Sequence, residues 1–119
     1  MASQIVNADQ VIGVEVKNQQ GENLGKIEAL MLDKFEGKVS YVVLSFGGFM
    51  GMGDKLFAMP WSIFKYDENK GCFVISVDKE TLRNSPGFDK NHWPDMSNPT
   101  WGANINKYYG IAQTHQERR

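Results

Sequence analysis

Cysteine is almost absent from this chain: Cys72 is the one such residue among 119. It can form no internal disulfide, and alone it cannot build a thiolate metal site. Histidine is nearly as scarce, with His92 and His115 the two imidazoles, both late in the chain. A surplus of either charge is missing too. Thirteen Lys and Arg stand against fourteen Asp and Glu, for a formal net charge of -1, without the basic excess that marks a dedicated nucleic-acid binder. No block of like charge is long enough to form an interaction tail. No apolar run is long enough to span a bilayer. The opening "MASQIVNADQ" has neither the basic start nor the apolar middle of a signal peptide. The expectation from these absences is a cytoplasmic protein with no transmembrane segment and no strong nucleic-acid signal.

What is present is ordinary globular composition. With 41% hydrophobic and 23% charged residues, the chain is not that of a disordered protein, and its length fits one domain with a modest core. Strand signals dominate. In "VIGVEVKN" (11–18), Val14 and Val16 alternate with Glu15 and Lys17. "LGKIEALMLDK" follows a turn at Gly21, with Ile27, Ala29 and Met31 on one face and Leu30 and Leu32 on the other. Its middle has helical propensity, but Gly25 and Gly37 bracket it closely and strand is preferred. "FEGK" reads as a hairpin turn with Gly37 at positive φ. "VSYVVLSF" is the most strand-like segment: Val39, Tyr41 and Val43 share one face, and Val42, Leu44 and Phe46 the other. A strand apolar on both sides must be covered on both sides. A barrel interior covers one, so the other needs a helix, a tail or another subunit. "DKLFAMPW" ends or reaches an edge at Pro60, and "SIFKYDENKGCFVISV" reads as a further hairpin. "DKETLRNSPG" predicts one short helix, capped by Asp78 and stopped at Pro86-Gly87.

From Gly87 onward no period is sustained, and Pro94, Pro99, Gly102 and Gly110 interrupt the chain. Yet Phe88, Trp93, Met96, Trp101, Tyr108 and Tyr109 lie there, which a disordered tail would not carry. The expectation is an extended, ring-anchored tail on the barrel or on a partner subunit. The division expected is a lead over 1–10, a barrel domain over 11–85 and a C-terminal extension over 86–119. The fold class is mainly β: a small barrel of five or six antiparallel strands with one short helix and an aromatic-rich tail.

The residues that invite a chemical reading have simpler explanations. Gly47, Gly48, Gly51 and Gly53 crowd one stretch, but a phosphate loop needs Lys-Ser/Thr and a helix after its last glycine. Here Gly53 is followed by Asp54, Lys55 and strand-forming residues, and the dinucleotide spacing is also wrong. The stretch reads as a turn between antiparallel strands, with Phe49, Met50 and Met52 available to bury in a neighbour. Asp89, His92 and Asp95 are spaced by threes, but Pro94 breaks a regular helix and no fourth ligand is evident. Turn-capping is the reading for both aspartates. Cys72 has no neighbouring histidine and reads as an inert thiol. Nothing brings Glu28, Asp33 or Asp54 together for acid–base work. The rings of Tyr41, Phe46, Phe57 and Trp61 have only Lys38 and Lys55 nearby and read as core, not as a base-stacking platform.

Taken in order, "GVEVKNQQGENLGKIEALMLDKFEGKVSYVVLSFGG" and "GDKLFAMPW" resemble PRC-barrel domains over roughly 11–77, with their G-E-x-L-G-K-I turn, glycine turn, V-x-Y-x-V-L strand and Pro-Trp strand end. "PGFDKNHWPDM" is similar to the extension of stand-alone bacterial members. The family takes its name from the cytoplasmic part of the photosynthetic reaction-centre H subunit and includes a domain of a ribosome-maturation factor. The resemblance implies a small β-barrel that docks onto other proteins, with no shared reaction and no shared catalytic residue; no cofactor and no metal are expected. The leading expectation is a non-enzymatic interaction module that forms a homodimer or higher oligomer and meets an unidentified protein partner. Its interaction residues are expected among Tyr41, Val43, Phe49, Met50, Met52, Trp93 and Trp101. The alternatives are an accessory factor in ribosome or ribosomal RNA maturation, and a barrel whose mouth takes a small molecule or metal.

Overall fold

The computed structural model describes residues 4–47 and 54–110. After a 3-10 turn at Ala8–Gln10, six strands follow: β1 (Glu15–Asn18), β2 (Asn23–Asp33), β3 (Lys38–Gly47), β4 (Asp54–Pro60), β5 (Lys65–Asp67) and β6 (Cys72–Ile75). Two helices complete the described chain, α1 (Lys79–Arg83) and α2 (Pro99–Tyr108). The mainly-β class is as expected. The strands form one sheet in the order β4-β3-β2-β1-β6-β5.

Three features depart from the expected antiparallel barrel with a single helix. First, β1 and β6 run parallel, Val16 opposite Phe73 and Asn18 opposite Ile75. Parallel neighbours need a crossover, and here the intervening strands β2–β5 supply it. Second, the ladder does not close among the described residues: β4 and β5 are its two edges. The outer edge of β4 is taken instead by Phe88, which exchanges two backbone hydrogen bonds of 2.8 Å with Leu56. The other edge, β5, is three residues long and carries Lys65 and Asp67, a short charged edge of the kind that discourages further pairing. Third, the C-terminal extension is not extended throughout, since α2 occupies ten of its residues.

Although open, the sheet curls around one core. Phe57 and Met59 of β4 belong to the same buried cluster as Val16 of β1, Phe73 and Ile75 of β6, and Leu82 of α1. The 3-10 turn Trp61–Ile63 follows β4 directly and packs on β3. It brings Trp61 within 6.0 Å of Phe73 and 6.3 Å of Phe64, centroid to centroid. In β2 a bulge falls between Ile27 and Ala29. It adds a residue and changes which side chains share a face. Ile27 and Leu30 therefore both turn to the core, while Ala29 and Met31 share the opposite side with Val43 and Tyr41. A strict period-two reading, which groups Ile27 with Ala29 and Met31, fails at that bulge.

The local turns follow from their residues. Asp33 Oδ1 accepts from the backbone N–H of Phe35 and of Glu36, each at 3.0 Å, and Gly37 takes φ 74°. Asp78 Oδ1 accepts from Thr81 N at 2.7 Å and caps α1, as expected. Those bonds hold its carboxyl below the ordinary range.

Candidate interaction surface

On β3 the two apolar faces separate as the alternation requires. Val42 and Leu44 enter the core. Tyr41 and Val43 face the other way and pair across to Pro60 and Ala58 of β4. Val43, Leu56 and Ala58 are all buried, yet none belongs to the main core. Their cover is the C-terminal extension. Helix α2 packs on β4 and contributes the buried Ile105. Its start is fixed by Asn98, whose side chain accepts from Thr100 N and Trp101 N, followed by Pro99 in the first turn. Gly102 lies against β3 so closely that a Cβ there would come within 2.6 Å of the Tyr41 hydroxyl. The Trp101 ring then meets Tyr41 edge-on, centroids 5.0 Å apart, and burial pushes the Tyr41 phenol up. Tyr108 ties α2 to α1, its hydroxyl donating to Thr81 O at 2.7 Å.

Tyr109, at the end of α2, packs against the main core. Its hydroxyl is buried without a hydrogen-bond partner among the described residues. Burial pushes the phenol up to about 12, with nearby Ser85 acting in the opposite direction. The Ser85 hydroxyl donates instead to Leu82 O at 2.6 Å, so we regard the Tyr109 oxygen as unsatisfied. A phenol raised in the folded state contributes stability that is complete below the unfolded value near 10. That contribution drains away as pH climbs from about 10 to about 12. Wild-type stability is therefore expected to fall more steeply than that of Tyr109→Phe over this window, by roughly 2–3 kcal/mol in total. Below pH 10 the variant should be as stable as wild type or slightly more so, because it buries no unmet hydroxyl. Parallel Tm–pH curves would refute this.

The same extension builds a groove. After Phe88 the chain passes Trp93, whose ring packs on Phe88 at 5.2 Å and whose Nε1 donates to Lys90 O at 2.9 Å. It then runs past the β2–β3 hairpin. Between them lies a groove of about 570 Å³, with Met31, Tyr41 and Phe35 on the hairpin side and Pro94 and Met96 on the other. Leu32 and Phe35 are 63% and 92% exposed at its rim. A smaller hollow of about 410 Å³ beside β5 is lined by Lys65, Tyr66, Glu68 and Lys70.

Of the expected interaction residues, Tyr41 and Trp101 meet each other, Val43 is fully buried, and Trp93 is 40% exposed. Phe49, Met50 and Met52 lie outside the described residues, as do Gly48, Gly51, Gly53 and His115. The strands flanking the glycine stretch are antiparallel neighbours, Gly47 opposite Asp54. Leu32, Phe35 and Met96 are not among the interaction residues expected from sequence, although a phenylalanine inside the polar turn "DKFEGK" is a visible signal. Asp89 and Asp95 cap turns, accepting from Asn91 N at 2.9 Å and Ser97 N at 3.0 Å. Asp89 also meets His92 Nδ1 at 2.8 Å. Among the described residues no cluster of three His, Cys, Asp or Glu has metal-site geometry.

The strand–turn sequence that builds this hairpin and groove wall lies within residues 4–82, which match the model of the PRC-barrel domain. The chain belongs to the PRC-barrel family. Comparison with the curated proteins gives no match to this chain. The PRC-barrel match stops within α1, before Phe88, Trp93 and α2. The cover on β3–β4 and one wall of the groove are therefore carried by residues beyond the matched segment. Among the described residues no helix is long and apolar enough to cross a membrane.

Proposed function

We propose that this PRC-barrel chain is a non-enzymatic interaction module of the cytoplasm that pairs with a second copy of itself. Family membership supports the coarse reading, a small interaction or scaffold module. The observation that carries self-association is the apolar rim of Leu32 and Phe35 beside a groove floored by Met31 and Tyr41. Large apolar side chains held in water next to an apolar hollow mark a contact surface. From sequence alone, the second apolar face of β3 is the surface that calls for a second copy. In this fold α2 covers that face from within the chain, so the surface left for pairing lies beside it. Charges around the groove are mixed, Lys34 with Asp33 and Asp95, which favours a protein surface over a nucleic-acid backbone.

The test is sedimentation velocity from sub-micromolar to hundreds of micromolar. The expected result is a reversible shift to twice the chain mass within the micromolar range. A monomer mass held across the whole range would overturn the reading.

A further inference from the structure

We infer that the two copies pair through the groove, Phe35 of each entering the groove of the other while Lys34 of each faces Asp95 of the other. The inference rests on the self-association reading and adds where it occurs and what fixes its orientation. Phe35 stands at the tip of the β2–β3 turn, 92% exposed, and the groove begins at its base. A projection and a hollow side by side on one face are self-complementary under a two-fold rotation, because each copy supplies what the other lacks. The projection is preorganised. Asp33 Oδ1 holds the N–H groups of Phe35 and Glu36, and Gly37 N donates to Asp33 O at 2.8 Å. A turn whose backbone is already fixed loses little freedom on binding. The hollow offers Met31 and Met96, whose unbranched side chains adjust to an inserted ring.

Charge chooses the occupant. Lys34 and Asp95 both line the groove, and neither makes a salt bridge among the described residues. The Lys34 ammonium instead lies 5.8 Å from the Phe35 ring centroid, so it travels with the ring into whatever receives it. Lys38, by contrast, is engaged by Glu36 at 3.2 Å. Of the two carboxylates in the lining, Asp33 is held by its own turn, so Lys34 beside the projection and Asp95 across the hollow are the charges a second copy would match, twice per dimer. Such rim pairs set orientation more than affinity.

The test uses full-length protein and sedimentation velocity, with circular dichroism to check folding. Phe35→Asp should weaken dimerisation at least tenfold. Lys34→Asp places two carboxylates opposite each other in a homodimer, and Asp95→Lys two ammonium groups, so each variant alone should be mainly monomeric where wild type is dimeric. An equimolar mixture of these two variants should regain dimer mass, since every contact in the mixed pair is again between opposite charges. A contact within one chain could not be rescued by mixing. If wild type dimerises and the three variants dimerise equally well, pairing occurs elsewhere and this inference fails while self-association stands. If the single variants weaken and the mixture stays monomeric, the Lys34–Asp95 orientation is wrong. A wild type that is monomeric throughout overturns both.

Discussion

Deleting Pro86–Arg119 is expected to leave a chain that aggregates or lacks a cooperative melt. The deletion removes Ile105, which is 2% exposed, and with it Phe88, Trp101 and Tyr109. It also uncovers Val43, Leu56 and Ala58 and strips β4 of its edge partner. Each large apolar side chain returned to water costs about 1.5–3 kcal/mol as an upper figure. Three or four of them exceed ~5 kcal/mol, which reaches into the ~5–15 kcal/mol that holds a domain of this size together. The point variant Ile105→Ala gives a graded version, with an expected loss of about 2–5 kcal/mol. Thermal denaturation of soluble protein reads both. A truncated chain melting at the wild-type temperature would show that the extension is not part of the folded unit.

The second large effect belongs to Gly25→Ala. Gly25 has φ 132°, outside the range comfortable for any residue with a Cβ. A Cβ built there would overlap the carbonyl oxygen of Ser45 on β3. That obstacle is backbone in the middle of the sheet and cannot swing aside as a side chain would. Strain and steric overlap act together, and the expected cost is about 3–5 kcal/mol, a Tm drop on the order of 10–25 °C. Gly37→Ala is the control. Gly37 also has positive φ, 74°, but open space around it, so the conformational penalty alone applies, about 1–2 kcal/mol. Equal losses at the two positions would mean that the close approach to β3 carries no cost.

Much of this molecule could be read from its residues because the signals are local. Asp33 and Gly37 around a turn, Asp78 before a short helix, and Val39–Phe46 apolar on both sides all act within a few positions. What escaped depends on distant segments. The parallel pairing of Val16 with Phe73 leaves no mark in either strand. The bulge after Ile27 inverts a face without any glycine or proline at Glu28 to announce it. Helix α2 had a legible start in Asn98-Pro99 and an i, i+4 pair in Trp101 and Ile105. Gly102, Asn104 and Asn106 lower its intrinsic propensity, and docking on β3–β4 decides the outcome. Gly102 looked like a helix breaker; in place it lets α2 approach the Tyr41 hydroxyl. The groove escaped for the same reason, because its walls come from the β2–β3 hairpin and from Pro94–Ser97, which only the fold brings together.

The parallel contact between β1 and β6 also orders events in time. During synthesis β2, β3 and β4 can zip into a meander as they emerge, since each meets its neighbour across a short connection. Strand β1 joins them through β2, but its other neighbour is β6, which is made only after four further strands. Until then the nascent meander offers an unfinished edge at β1 and, before Phe88 arrives, another at β4. Sheet completion is thus a late, long-range closure, of the class that slows folding and lengthens exposure to aggregation. Substitutions in the β2–β3 hairpin should therefore act mainly on the folding rate, and those at the β1–β6 seam mainly on the unfolding rate.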